Sequence, residues 1–169
     1  INPALAAGTY DVSVTATDAL SNAGADATAS ELIIDLTAPT VGVDALTTND
    51  SRPPLTGTVN DNSATISVTV GGQTRAATNN ANGTWTLAND LINPALAQGT
   101  YNVAVTATDA AGNAGVDGTS NELRIDTAAP VVTVNNLVTN DNRPALSGTV
   151  SDTTASIRVD VGGQTNLIA

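Results

Sequence analysis

The chain repeats itself. Laid against itself at an offset of 91 residues, Ile1 falls on Ile92 and the two lines stay in step without a gap. INPALAAGTY meets INPALAQGTY, TATDALSNAG meets TATDAAGNAG, LTTNDSRPPLTGTV meets LVTNDNRPALSGTV, and ISVTVGGQT meets IRVDVGGQT. Roughly 60% of aligned positions are identical, far beyond what shared composition gives, and the period is longer than the ~20–50 residue units of solenoids and propellers. Such a period is a whole domain. The chain is therefore built from tandem domains.

The best-defined stretch of the repeat is Gly99–Gly115, GTYNVAVTATDAAGNAG. Tyr101, Val103, Val105 and Ala107 fall on one side of a period-two alternation, Asn102, Thr106 and Thr108 on the other. That pattern, rich in β-branched residues, marks a strand with one face in a core and one in water. Asp109, Gly112, Asn113 and Gly115 then supply turn chemistry, because Gly takes positive φ and Asp or Asn bonds its own backbone. The same sentence stands at Gly8–Gly24.

Ile34–Pro39 and Ile125–Pro130 each close one apolar strand and open another across a proline, which a central strand does not tolerate. Boundaries near Thr37 and Ala128 follow. Residues 1–36 read as the C-terminal part of one domain, 37–127 as a complete domain and 128–169 as the N-terminal part of a third. The complete copy predicts strands at Thr40–Leu46, Leu55–Val59, Thr65–Val70, Gln73–Thr78 and Thr84–Leu87, then the Tyr101 strand and Glu122–Asp126. Gly71-Gly72 predicts a two-residue hairpin turn. Leu91, Ile92 and Leu96 are expected to plug the open end of the core, with one helical turn at most near Pro94–Ala97. Seven strands with turns every 8–12 residues predict an all-β, Ig-like Greek-key sandwich.

Composition narrows the function. Net charge is −11, the five cations are all arginine, and there is no His, Cys, Lys, Met or Phe. An acidic surface disfavours nucleic acid, whose backbone is held by Lys and Arg, and likewise an anionic membrane. No apolar run reaches the ~18 residues a membrane span needs. The chain starts at Ile1 without Met, so a segment of something longer is expected. Without His, Cys or Lys, neither a Ser–His pair nor a lysine base can be assembled, and zinc has no nitrogen or sulfur ligand. Paired carboxylates lack the aromatic-lined groove that would seat a sugar. No enzyme is expected.

The blocks APTVGVDALTTNDSRPPLTGTV, ISVTVGGQT, NGTWTL, GTYNVAVTATDAAGN and ELRIDTAAP, in that order, resemble the bacterial Ig-like repeats of giant, type-1-secreted surface adhesins of the RTX and biofilm-associated kind. The resemblance covers the whole chain, in one complete and two partial copies. It implies an extracellular protein on the surface of a Gram-negative bacterium. It also implies that the repeats act as an extender, with calcium stiffening the junctions and neighbouring repeats as the partners of each domain.

Successive loops of such a sandwich alternate between its two poles. Asp61, Asp109 and Asn113 are expected at the upstream pole of the complete domain, meeting Asp35 at the end of the preceding one. Asp126 and Asp152, with Asp50 or Asp90, form the matching downstream set. Each set is a candidate Ca²⁺ site, since that ion takes six to eight oxygens at about 2.3–2.6 Å. The alternative is that these residues serve turns and solubility alone.

Tyr101 is expected to be a corner tyrosine bonded to backbone and Trp85 a core residue. Arg52 and Arg143 are expected to pair with junction carboxylates. Two further functions stay open: a glycan- or protein-recognition module, and an accessory module of a secreted polysaccharide-active enzyme. A last alternative has 128–169 and 1–36 complementing one another between molecules, in a composite that lacks the Trp85 strand. Nothing in the sequence accounts for the third copy's departure to Asn166–Ala169.

Overall fold

The computed structural model describes residues 3–168, with side chains to residue 165; the end of the third copy, where its sequence departs at 166–169, lies outside the described side chains. The chain forms two compact units, one up to Thr127 and one from Ala128. No helix occurs among the described residues.

The first copy contributes β1 (Gly8–Tyr10), β2 (Thr15–Thr17), β3 (Ala23–Ala25) and β4 (Leu32–Ile34), paired β1 with β4 and β2 with β3. The complete copy contributes ten strands: β5 (Val41–Val43), β6 (Leu46–Thr48), β7 (Leu55–Val59), β8 (Thr65–Val70), β9 (Gln73–Asn79), β10 (Thr84–Leu87), β11 (Gly99–Tyr101), β12 (Val103–Thr108), β13 (Ala114–Val116) and β14 (Leu123–Ile125). One sheet has the order β13-β12-β8-β9-β10-β7-β5, the other β11-β14-β6 with β14 and β6 parallel. The second unit holds β15 (Val132–Val134) paired with β16 (Gly148–Val150), and β17 (Ile157–Val161) paired with β18 (Gln164–Ile168).

The strand reading changes in three places. The single strand expected at Thr40–Leu46 is two, because the chain leaves β7 after Val43 and joins β14 at Leu46. The Tyr101 strand likewise breaks at Asn102, with β11 in the small sheet and β12 in the large one. Glu122 serves both crossings: its carbonyl accepts from the N–H of Leu46 at 2.7 Å, and its Oε2 accepts from the N–H of Val103 at 2.9 Å. The loop expected through Gly115 contains a further strand, β13, on the edge beside β12.

The core follows the alternation. Leu55, Val59, Ile66, Val68, Val70, Trp85, Leu87, Val103, Val105, Ala107, Leu123 and Ile125 are buried in one core cluster fed by both sheets. Trp85 is wholly buried and its indole N–H donates to Gly42 O at 2.9 Å. That approach requires Gly57, where a Cβ would stand 2.0 Å from Gly42 O and 2.6 Å from Trp85 Nε1. Gly71 and Gly72, at φ +55° and +76°, make the β8–β9 turn, whose twist matches the strands it joins. Ile92 and Leu96 plug the core as expected, but Leu91 is exposed. Pro94–Ala97 forms no helical turn. Instead, carbonyls of this connection accept from side chains: Leu91 O and Asn93 O from Arg75, Ile92 O from Arg52, and Pro94 O from Gln73.

Candidate functional site

At the upstream pole, Asp109 organises the loop between β12 and β13. Its Oδ1 accepts from the N–H groups of Ala111 at 2.9 Å and Asn113 at 2.8 Å, while Oδ2 accepts from Asn113 Nδ2 at 2.8 Å. These bonds, led by the Asn113 amide, hold the Asp109 carboxyl below its ordinary pKa against some desolvation. Asn113 Nδ2 also donates to the carbonyl of Asp35, 3.0 Å away and 78 positions earlier. One amide thus ties the loop to the segment arriving from the first copy. Two residues on, Gly115 lies so close to Pro39 that a Cβ there would be 1.6 Å from the Pro39 carbonyl oxygen. Pro39 is buried by this approach.

Asp61 belongs to the same pole. Its Oδ1 accepts from the N–H and hydroxyl of Ser63, both at 2.7 Å, which lowers its pKa, while the nearby charge of Asp109 raises it. The structure therefore brings Asp35, Asp61, Asp109 and Asn113 to one end of the complete domain. Asp35 contributes its carbonyl; its own Oδ1 accepts from Thr37 N at 2.9 Å.

The other pole gathers Asp50, Asp90 and Asp126 by backbone bonds, Asp90 N to Arg52 O at 3.0 Å and Asp126 N to Thr48 O at 2.9 Å. Asp50 Oδ1 accepts from Arg52 N, Asp90 Oδ2 from Asn89 Nδ2, and Asp126 Oδ2 pairs with Arg124 at 2.8 Å. Asp152, in the second unit, accepts from the N–H and hydroxyl of Thr154, which lowers its pKa. A rule runs through the set: Asp35, Asp50, Asp61, Asp109 and Asp152 each accept from the N–H two residues on. This is the Asx turn, which gives the loop its shape without any ligand. Among the described residues no group of three or more acidic side chains stands close enough to hold a metal ion.

The arginines differ from expectation. Arg52 sends its Nε to the Ile92 carbonyl, not to a carboxylate, because the connection over the core presents carbonyls to it. The salt bridges among the described residues are Arg124–Asp126 and Arg158–Asp160, neither involving Arg143.

A family model described as a bacterial Ig-like domain matches residues 40–127, more than half of the sequence. The chain belongs to that family. Comparison with curated proteins gives no match. Bacterial Ig-like domains are typically non-catalytic and often extracellular or surface-exposed. No helix among the described residues is long and apolar enough to cross a membrane.

Two features of this Ig-like domain carry weight that sequence reading did not give them. Glu122 is buried, with Oε1 lacking a hydrogen-bond partner. Burial pushes its carboxyl up, but bonds from the N–H of Val103 and of Glu122 itself, with the Thr119 hydroxyl near, hold it below the ordinary value. Its recurrence at Glu31, in a chain whose other acids are all Asp, was the available signal. Arg75 and Gln73 gave none, since their partners are backbone carbonyls 16–21 residues away. Tyr101 is the corner tyrosine: its OH donates to Ala97 O at 2.9 Å, as Tyr10 does to Ala6 O at 3.0 Å.

Proposed function

We propose that this chain is an extender segment of a large bacterial surface adhesin, holding a distal binding domain away from the cell in adhesion or biofilm formation. The observation that carries the reading is the joint at residues 35–39. Asn113 bonds the incoming strand end while Gly115 seats Pro39, so the connection is tied at both of its ends and has little slack. A recognition module needs a loop tip free to differ between copies. Here the Asp109 loop repeats at Asp18, where Asp18 accepts from Leu20 N, Asn22 N and Asn22 Nδ2 in the same pattern. The physical task is length and stiffness, and a lysine-free acidic surface keeps similar neighbours from associating.

Calcium at the upstream joint is part of the proposal. Asp109 is close enough to raise the proton affinity of Asp61, and a divalent ion between them would relieve that repulsion. Two carboxylates and the Asp35 carbonyl supply three of the six to eight oxygens calcium takes, leaving other carbonyls and water to complete the shell. Small-angle scattering of several complete copies joined in tandem, with calcium and then with chelator, tests both parts. An elongated particle in both conditions supports a joint held by Asn113 alone. Elongation only with calcium supports the ion. A flexible string of domains in both conditions rejects the extender.

A further inference from the structure

Asn82 and Gly83 form the chain's one Asn-Gly pair, at the tip between β9 and β10, with the Asn82 side chain exposed. The carbonyl of that side chain already holds two donors. Thr84 gives Oδ1 its hydroxyl at 2.7 Å and its N–H at 3.2 Å. Asn80 Nδ2 donates to the same hydroxyl oxygen at 2.9 Å, which leaves the hydroxyl hydrogen for Asn82. Two donors on a carbonyl oxygen stabilise the oxyanion that forms when a nucleophile adds to its carbon. The adjoining nucleophile is the backbone nitrogen of Gly83, which closes a five-membered ring with Asn82 Cγ. Gly83 stands at φ +89°, and without a Cβ it turns onto the neighbouring side chain free of a clash. Both sides of Gly83 are nevertheless pinned: its N–H donates to Asn62 Oδ1 at 3.1 Å, and its carbonyl accepts from Val59 N at 3.0 Å. Attack requires the nitrogen to give up its proton, and an Asn62 lone pair facing it disfavours the anion that results. The peptide is released only when the tip opens locally.

We propose that Asn82 is a site of self-modification, converting to aspartate and isoaspartate, with Thr84 activating its side chain and Asn62 holding the reaction back. In the first step Gly83 N loses its proton and bonds to Asn82 Cγ. The Cγ–Nδ2 bond breaks, and ammonia leaves carrying that proton. Water then opens the resulting cyclic imide at one carbonyl or the other. One opening gives aspartate; the other gives isoaspartate, whose main chain runs through Cγ and is longer by a carbon. Either product adds a negative charge beside the 60–63 loop, which carries Asp61 and bonds the tip through Asn62. The longer product also displaces the chain just before β10, the strand that carries wholly buried Trp85.

Peptide mapping by mass spectrometry tests this on the 169-residue chain incubated at mildly alkaline pH, following the amide-to-acid change at Asn82. Fluorescence of the one tryptophan, Trp85, reports that the domain stays folded. Asn62→Ala should convert Asn82 about 5-fold faster than the unaltered chain, the worth of one hydrogen bond. Asn62→Asp, which keeps an acceptor for Gly83 N–H, should stay as slow as the unaltered chain. Adding Thr84→Val to Asn62→Ala removes the hydroxyl donor and should slow conversion again by about 5-fold or more. Conversion no faster in Asn62→Ala overturns the proposal, as does a rate that Thr84→Val leaves unchanged. A faster rate that comes with loss of the folded Trp85 signal belongs to unfolding and rejects the role given to Asn62.

Discussion

The first copy and the complete domain share most of their sequence from Gly8 and Gly99 onward but differ in what surrounds it. The bonds to the loop aspartate agree in the two copies. Asp18 and Asp109 each accept from two N–H groups and an asparagine amide, and Glu31 and Glu122 accept from Val12 N and Val103 N at 3.0 and 2.9 Å. Their burial diverges completely: Val14 is 58% exposed and Val105 2%. Gly24 has nothing near a Cβ, whereas Gly115 has Pro39 pressed on it. Hydrogen-bonded loop shape is thus written locally, in residues two to four apart. Core and joint come from partners far along the chain.

That contrast can be broken most severely at Gly57. Gly57→Ala should force β7 away from β5, break the Trp85–Gly42 bond and cost about 3 kcal/mol, read by chemical denaturation. Retention of wild-type stability would show that β5 is not held as described. Next comes the glycine pair. Gly115→Ala should cost about 1–3 kcal/mol by overpacking against Pro39, while Gly24→Ala should leave the melting temperature where it was. Equal effects would mean the joint contributes nothing.

The two glutamates sharpen the comparison further. Glu122→Ala strands a buried Val103 N–H and should cost about 1–3 kcal/mol; Glu31→Ala, at an exposed position, should be nearly silent. Acid gives the same test without mutation. Glu122, Asp61 and Asp109 all titrate below the ordinary 4.5 and 3.8, so their stabilisation is complete above those values and is lost as pH falls through the lower folded ones. The melting temperature should hold from pH 7 to about 5 and fall below about 4, with Glu122→Gln flattening that fall more than Glu31→Gln. The smallest effect belongs to Asn113→Ala, about 1 kcal/mol, with faster independent motion of the first copy by NMR relaxation. Asn22→Ala loses only a local bond and should move neither reading.

Much of this was legible in the sequence because the repeat and the alternation are local or periodic signals. Ile66, Val68 and Val70 announce a buried face, and Gly71-Gly72 announces its turn. The strand switches at Asp44–Ala45 and Asn102 were not legible, since both halves keep extended backbone and only the hydrogen-bond partner changes. Of the candidate site, the gathering of Asp61, Asp109, Asn113 and Asp35 at one pole followed from strand order alone. That Asn113 would offer its amide to a carbonyl did not, because an Asp-rich loop reads the same whether its oxygens await an ion or cap their own N–H groups.

The parallel pairing of β6 with β14 has a mechanical meaning. β6 lies near the start of the complete domain and β14 at its end, and they run parallel, Leu46 beside Leu123 through Thr48 beside Ile125. Force applied through the two ends of the domain drags these strands past each other lengthwise, so their bonds share the load and must yield together. Under such a load the domain resists as a clasp rather than as a zipper.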